Sequence, residues 1–272
     1  MYTLFSGTAS DIYQTADYLD TFLVNSLGWE RRYTIASGVG SRDRVYKNAG
    51  GQTIGLYDDI YARFNANSGI LYNYAYISHS DVDTTSSGEM GGDEYSANFG
   101  GMSDNNNFWF IANKDFVWVL IKNSISGTYF SSGVGYVDSF YSNSVDTYPV
   151  SVVGQNTSTY DFTNDRVRMY NHVNTPTFYH SGDYSELVSS GTVQSRDSSF
   201  FGMPVVLLND NVGEYELRGE LKGIKQVGGS LLSSEDILYG IQTVSSGVYF
   251  VIKHGSETNT FAYGPYTQVI GV

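Results

Sequence analysis

Four histidines, no cysteine and a spread of carboxylates are the residues from which this chain could build chemistry. Without cysteine there is neither a disulfide nor a thiolate metal site. His172 and His180 stand eight apart with Asp183 close behind, which is not a usual ligand spacing, and no third ligand is evident. His79-Ser80-Asp81 holds the three residue types of a hydrolytic triad. Adjacent residues on a strand point to opposite faces, however, so the three cannot converge.

The nucleotide motifs fail on similar grounds. No Gly-x-Ser-x-Gly elbow occurs, nor a glycine-rich loop ending in Lys-Ser or Lys-Thr. Gly133-Val134-Gly135 starts like a dinucleotide fingerprint, but Asp138 takes the third glycine position. Asn209-Asp210-Asn211-Val212-Gly213 has the look of a calcium loop, except that Leu208 occupies the first ligand position, and a hairpin turn explains it better. Glu89, Asp93 and Glu94 lie in a polar stretch that reads as solvated, although a glycosidase-like carboxylate pair elsewhere stays open. Asn156-Thr157-Ser158 fits a glycosylation pattern that one expects by chance. The expectation is therefore no catalytic residue, no metal and no cofactor.

What elements carry these residues? Ile12, Ala16, Leu19, Leu23 and Leu27 share one helical face, with Thr8 or Ser10 as candidate caps, Asp11 at the positive end of the dipole, and Gly28 just past the last apolar position. Trp29 is expected to fold back onto the core. Beyond it the apolar period becomes two: Tyr33 and Ile35, then Ile54, Leu56 and Ile60, then Leu71 to Ile77. Phe108-Trp109-Phe110-Ile111-Ala112 and Phe116 to Ile121, joined by Asn113-Lys114-Asp115, form the strongest hairpin signal. A further strand is expected at Tyr148 to Val153, beyond a Gly- and Ser-rich stretch. Toward the C-terminus, short strands are expected at Pro204–Leu208, Glu214–Leu217, Gly223–Val227, Ile237–Thr243, Val248–Ile252 and Thr260–Tyr263. Two long polar loops, 78–107 and 155–196, interrupt the pattern.

The fold class expected is mainly β (α+β), with antiparallel sheets in a sandwich-like core and one N-terminal amphipathic helix. The expected organisation is 1–155 as helix plus β core, 156–199 as a polar loop region, and 200–272 as a C-terminal β region on the same core. A chain of 272 residues needs no staples to fold.

Composition points to association. Charged residues are only 16% of the chain, while aromatics reach 15% with 24 tyrosines. Tyrosine offers a rigid apolar ring and a polar tip, which suits interfaces. A net charge of −13 with scattered Lys and Arg argues against specific nucleic-acid binding and against anionic membranes. No apolar run reaches eighteen residues, and Met1 to Gly7 does not begin a secretory signal.

The segment Phe108-Trp109-Phe110-Ile111-Ala112-Asn113, with Val117 to Lys122, Tyr129, Gly133 and Gly135, then Tyr148-Pro149-Val150-Ser151-Val152-Val153-Gly154, resembles a family of virion structural proteins from tailed bacteriophages, chiefly contractile-tailed ones. Phe5-Ser6-Gly7-Thr8-Ala9, Asp58-Asp59-Ile60-Tyr61, Tyr72-Asn73-Tyr74 and Gly219-Glu220-Leu221-Lys222-Gly223-Ile224 follow the family in the same order. Where that family places Gly-Arg-Arg, this chain has Lys114-Asp115-Phe116, so no arginine contact carries over. The resemblance implies a virion component of the neck, collar, tail or baseplate, assembled in the host cytoplasm. It implies partners among other virion proteins, self-association in a ring, and no active site. An alternative is a receptor- or glycan-binding module of a tail fibre or baseplate. Phe108, Trp109, Phe110, Trp118 and Tyr148 are the expected core that positions assembly contacts.

Overall fold

The structure, a computed structural model, describes residues 1–35, 42–50, 60–67, 69–76, 89–90, 105–125, 127, 129–140, 150–154, 167–170, 178–180, 202–211, 214–227, 232–239, 247–253 and 260–271. It is mostly β with antiparallel sheets and one N-terminal helix, and its larger sheet curls into a nearly closed barrel.

The chain opens with a strand that sequence patterning did not reveal, β1 (Tyr2–Ala9). The helix α1 (Ile12–Thr21) follows and runs into one wider π-type turn, Phe22–Ser26. Its cap is Asp11 rather than Thr8 or Ser10: Asp11 Oδ1 accepts from the Gln14 N–H at 2.7 Å, and Gln14 Oε1 accepts from the Ser10 N–H at 2.6 Å. The first bond satisfies one of the donors that a helix start leaves open, and the second ties the residue before the cap to the first turn. Thr8 is already committed to β1, opposite Asn107. Ile12, Ala16, Leu19 and Leu23 are buried as their spacing requires, and Gly28 takes the left-handed conformation that ends the helical segment.

Five strands then form a small antiparallel sheet in the order β2 (Glu30–Ile35), β3 (Arg42–Lys47), β4 (Tyr61–Asn67), β5 (Ile70–Tyr76) and β6 (Glu89–Met90). One face carries Tyr46, Ala62, Phe64, Leu71 and Ala75 into the core shared with the helix. The helix is also tied to this sheet by charge. Arg42 and Arg44 pair with Asp17, Arg31 with Asp20 at 2.9 Å, and the Tyr46 hydroxyl donates to Asp20 at 2.9 Å. The other face holds a desolvated pair, with Arg63 donating to both oxygens of Asp43 at 2.8 and 2.7 Å and lying 4.9 Å from the Tyr74 ring centroid. Ile54 and Leu56 lie outside the described residues.

The remaining strands belong to the larger sheet: β7 (Asn106–Ala112), β8 (Phe116–Asn123), β9 (Tyr129–Tyr136), β10 (Asp138–Ser139), β11 (Val150–Gly154), β12 (Val167–Tyr170), β13 (Phe178–His180), β14 (Gly202–Asn211), β15 (Glu214–Val227), β16 (Ile237–Leu238), β17 (Val248–Lys253) and β18 (Thr260–Gly271). Around the barrel, β15, β18, β1, β7, β8 and β9 are neighbours in turn. The ring comes round on itself because β10, which continues β9, pairs with β15 at Asp138–Glu220 and Ser139–Gly219. Every pairing in it is antiparallel except β1 with β18, where Leu4 stands opposite Val269. The barrel's inside is filled by side chains including Tyr2, Leu4, Ile111, Trp118, Leu120, Ile224 and Tyr263.

Several expectations change here. The Gly- and Ser-rich stretch before Tyr148 is a buried strand, β9. Two short strands, β12 and β13, fall inside the region read as a polar loop, and β6 falls inside the loop read over 78–107. Glu214–Leu217 and Gly223–Val227 are one long strand, β15, with Gly223 in the left-handed region. A Cβ there would stand 2.7 Å from the Tyr2 ring. Asn209–Asn211 still belongs to β14, paired with Glu214–Glu216, so the calcium-like sequence is the end of a hairpin arm. The strand expected at Thr260–Tyr263 runs on to Gly271, and Ile237–Thr243 is described as strand only at Ile237 and Leu238.

Candidate functional site: the aromatic hairpin and the barrel end

The β7–β8 hairpin has the expected register, with Trp109 opposite Leu120 and Ile111 opposite Trp118. Its two faces go to different cores, as strand alternation dictates. Phe108 and Phe110 point outward from the barrel and are buried beneath α1. Their rings stack on each other at 4.6 Å, with Phe5 at 5.7 and 6.0 Å, Tyr18 5.2 Å from Phe108 and Phe22 6.2 Å from Phe110. Trp118 points the other way, into the barrel, and is fully buried. Its Nε1–H donates to the Lys222 carbonyl at 2.8 Å, and its ring meets Tyr263 edge-on at 5.2 Å. The ring lies across β9, where a Cβ on Gly133 would stand 2.8 Å from Phe116 and 2.9 Å from Trp118. Glycine is required there by the close approach. The turn is held by Asn113, whose Oδ1 accepts from the N–H groups of Asp115 and Phe116, both at 2.8 Å. Its carbonyl accepts from Trp29 Nε1 at 2.9 Å, so Trp29 does fold back onto the core.

Phe108, Phe110 and Trp118 are therefore interior residues that set the hairpin's shape without reaching a neighbouring molecule. Tyr148 lies outside the described residues. Trp109 differs from the others in being only partly buried. It stacks on Phe250 at 4.8 Å and sits 6.3 Å from Tyr129.

At the end of the barrel away from the Asn113–Asp115 turn, three further residues meet Trp109's neighbourhood. Lys122 ends the inward row of β8, Tyr129 begins β9, and Glu235 arrives from the segment before β16. Lys122 Nζ donates to Glu235 Oε1 at 2.7 Å, and the Tyr129 hydroxyl donates to the same oxygen. Lys122 Nζ also lies 5.0 Å from the Tyr129 ring centroid. Partial burial pushes the Glu235 carboxyl up, but hydrogen bonds from Lys122 and Tyr129 outweigh it and hold the group below its ordinary value. The hydrogen bond to Glu235 is the main reason the Lys122 ammonium is pushed up to about 12. Glu235 and Asn105 are the only non-glycine residues with positive φ among those described, and Glu235 stands at 74°. That conformation costs about 1 kcal/mol for an L-residue. Its N–H donates to the Val251 carbonyl at 2.8 Å, and the Val251 N–H donates to the Asp236 carbonyl at 2.9 Å, which holds the turn in place.

Sequence reasoning did not find this cluster. Lys122 and Tyr129 entered the sequence reading only as strand residues of the hairpin region, Glu235 entered it nowhere, and Glu235 is 113 residues from Lys122. Among the described residues no group of three or more His, Asp or Glu could hold a metal ion. His79, His172, His254, Asp183, Asp93 and Glu94 lie outside the described residues; His180 ends β13 and Glu89 begins β6. No helix among the described residues is long and apolar enough to cross a membrane. Compared with models of known protein families and with curated protein sequences, the chain matches none.

Proposed function

We propose that this chain is a structural component of a tailed-virus particle, placed in the neck, collar or tail, and that it works by association between subunits without catalysis. The supporting observation is the second half of β18. Residues 260–266 are paired with β15 and β17, but from Thr267 to Gly271 the strand pairs only with β1, which leaves its other edge open among the described residues. Thr267, Gln268 and Val269 are exposed there, Val269 to 61%. On β16, which pairs with β17, and just past it, Ile237 and Tyr239 are 46% and 85% exposed. An open edge flanked by apolar side chains takes up a strand from a neighbour readily.

The test has two parts. Quantitative mass spectrometry of purified particles should find the protein at about six or twelve copies, which fits a ring at the neck or baseplate. Absence from the particle overturns the reading. In sedimentation velocity the purified chain should form an oligomer, which Val269→Lys dissociates while leaving the far-UV circular dichroism of the folded chain unchanged. The alternative, a receptor- or glycan-binding module of a tail fibre or baseplate, draws support from the partly exposed Trp109–Tyr129 pair beside an ion pair.

A further inference from the structure

The cluster of Lys122, Tyr129, Glu235 and Trp109 has more hydrogen-bonding capacity than the fold consumes. Glu235 accepts both of its bonds on Oε1, and among the described residues Oε2 has no partner. Lys122 Nζ carries three hydrogens; among the described residues it is engaged by Glu235 and Tyr129, which leaves one donor over. The side chains of both are partly open to solvent, at 29% for Lys122 and 38% for Glu235. An acceptor and a donor thus stand side by side, fixed by a contact between them, the acceptor on a left-handed turn residue and the donor on β8. Two partly exposed aromatic rings lie next to them. A simple surface ion pair needs none of this, because its partners are free to move and gain little by being fixed.

We propose that this end of the barrel binds a neutral saccharide. Two vicinal hydroxyls are recognised by the pair, one donating to Glu235 Oε2 and the other accepting from Lys122 Nζ, while the apolar C–H face of the sugar packs against the exposed parts of Trp109 and Tyr129. Charged partners make stronger hydrogen bonds than neutral ones, and their fixed spacing supplies the geometry that selects a diol. The site names the means by which the receptor- or glycan-binding reading would act and rests on that reading for its biological use. It does not depend on where the chain sits in a particle, which mass spectrometry decides separately.

Tryptophan fluorescence isolates the site. Of the three tryptophans, Trp29 and Trp118 are buried, so Trp109 alone is open to a quencher such as acrylamide. The full chain is titrated with the methyl α-glycosides of glucose, galactose and mannose and with N-acetylglucosamine. Concentrations reach about 50 mM, well past the ~1 mM Kd of a weak site. Glycerol, an acyclic diol, is the control. The expected result is saturable protection of Trp109 by at least one saccharide and none by glycerol. Glu235→Gln should weaken it by about tenfold, as the loss of one charge-assisted bond implies. Lys122→Met, on a different strand, gives the same reading if Glu235→Gln does not fold. No saturable protection by any saccharide, equal protection by glycerol, or protection unchanged in both variants would overturn the proposal.

Discussion

The three tryptophans separate three roles that look alike in composition. Trp118 fills the barrel and satisfies its indole on the Lys222 carbonyl, Trp29 closes the helix onto the hairpin turn, and Trp109 keeps part of its ring at the surface. Replacement by alanine should therefore grade them. Trp118→Ala removes a fully buried ring and leaves the Lys222 carbonyl without its donor, at a cost of about 3–5 kcal/mol in chemical denaturation. Trp109→Ala loses its stack on Phe250 and partial burial, about 2 kcal/mol or less. Equal losses at the two sites would contradict the assignment of Trp118 to the barrel interior and Trp109 to its rim. The alternation Phe108, Trp109, Phe110 along β7 was legible as a strand with one face on each side. Which face is wet was not, because outward Phe108 and Phe110 are covered by α1, while inward Trp109 is at the open end.

At the level of elements, the helix and the hairpin were both readable because their determinants are local. The helix cap shows where local reading stops: Thr8, Ser10 and Asp11 are all competent caps, the pairing of Thr8 with Asn107 removes Thr8, and the Gln14 N–H goes to the Asp11 carboxylate. Asp11→Ala should lower stability by about 1 kcal/mol, measured by urea denaturation, whereas Thr8→Ala should not produce a capping loss. β9 was obscured for a different reason. Ser131, Ser132, Gly133 and Gly135 have weak strand propensity, and the two glycines are required because aromatic rings of β8 stand against the strand there. β18 was cut short because Gly264-Pro265 reads as a break, although it is accommodated within the strand.

Across the whole molecule, the segment before β16 is joined to β8 and β9 at the barrel end through one carboxylate, and this gives stability a pH signature. The Glu235 carboxyl is held below its ordinary value, so its contribution is present above the unfolded value and is lost as pH falls through the folded one. The Lys122 ammonium is raised, so its contribution is complete below the unfolded value and is lost as pH rises through about 12. Thermal stability of wild type minus that of Lys122→Met should accordingly be flat near neutrality and shrink toward both extremes. A difference that does not change with pH would mean that the pair does not join these elements in solution. Because both groups are partly exposed, the effect should be small and should weaken with salt.

What depends on neighbours along the chain is legible in the residues alone. The change of apolar period from helical to alternating, the aromatic hairpin about Asn113-Lys114-Asp115, and the absence of cysteine all stand in the described structure as they read. The parallel pairing of β1 with β18, the closure through β10 and β15, and the meeting of Lys122 with Glu235 emerge only in the folded chain. Sequence separation is the cause. A strand pairs through backbone groups that every residue possesses, so a distant partner leaves no local signature. Once both faces of a strand are covered, as along β8 and β9, the alternation that would reveal its orientation is lost as well.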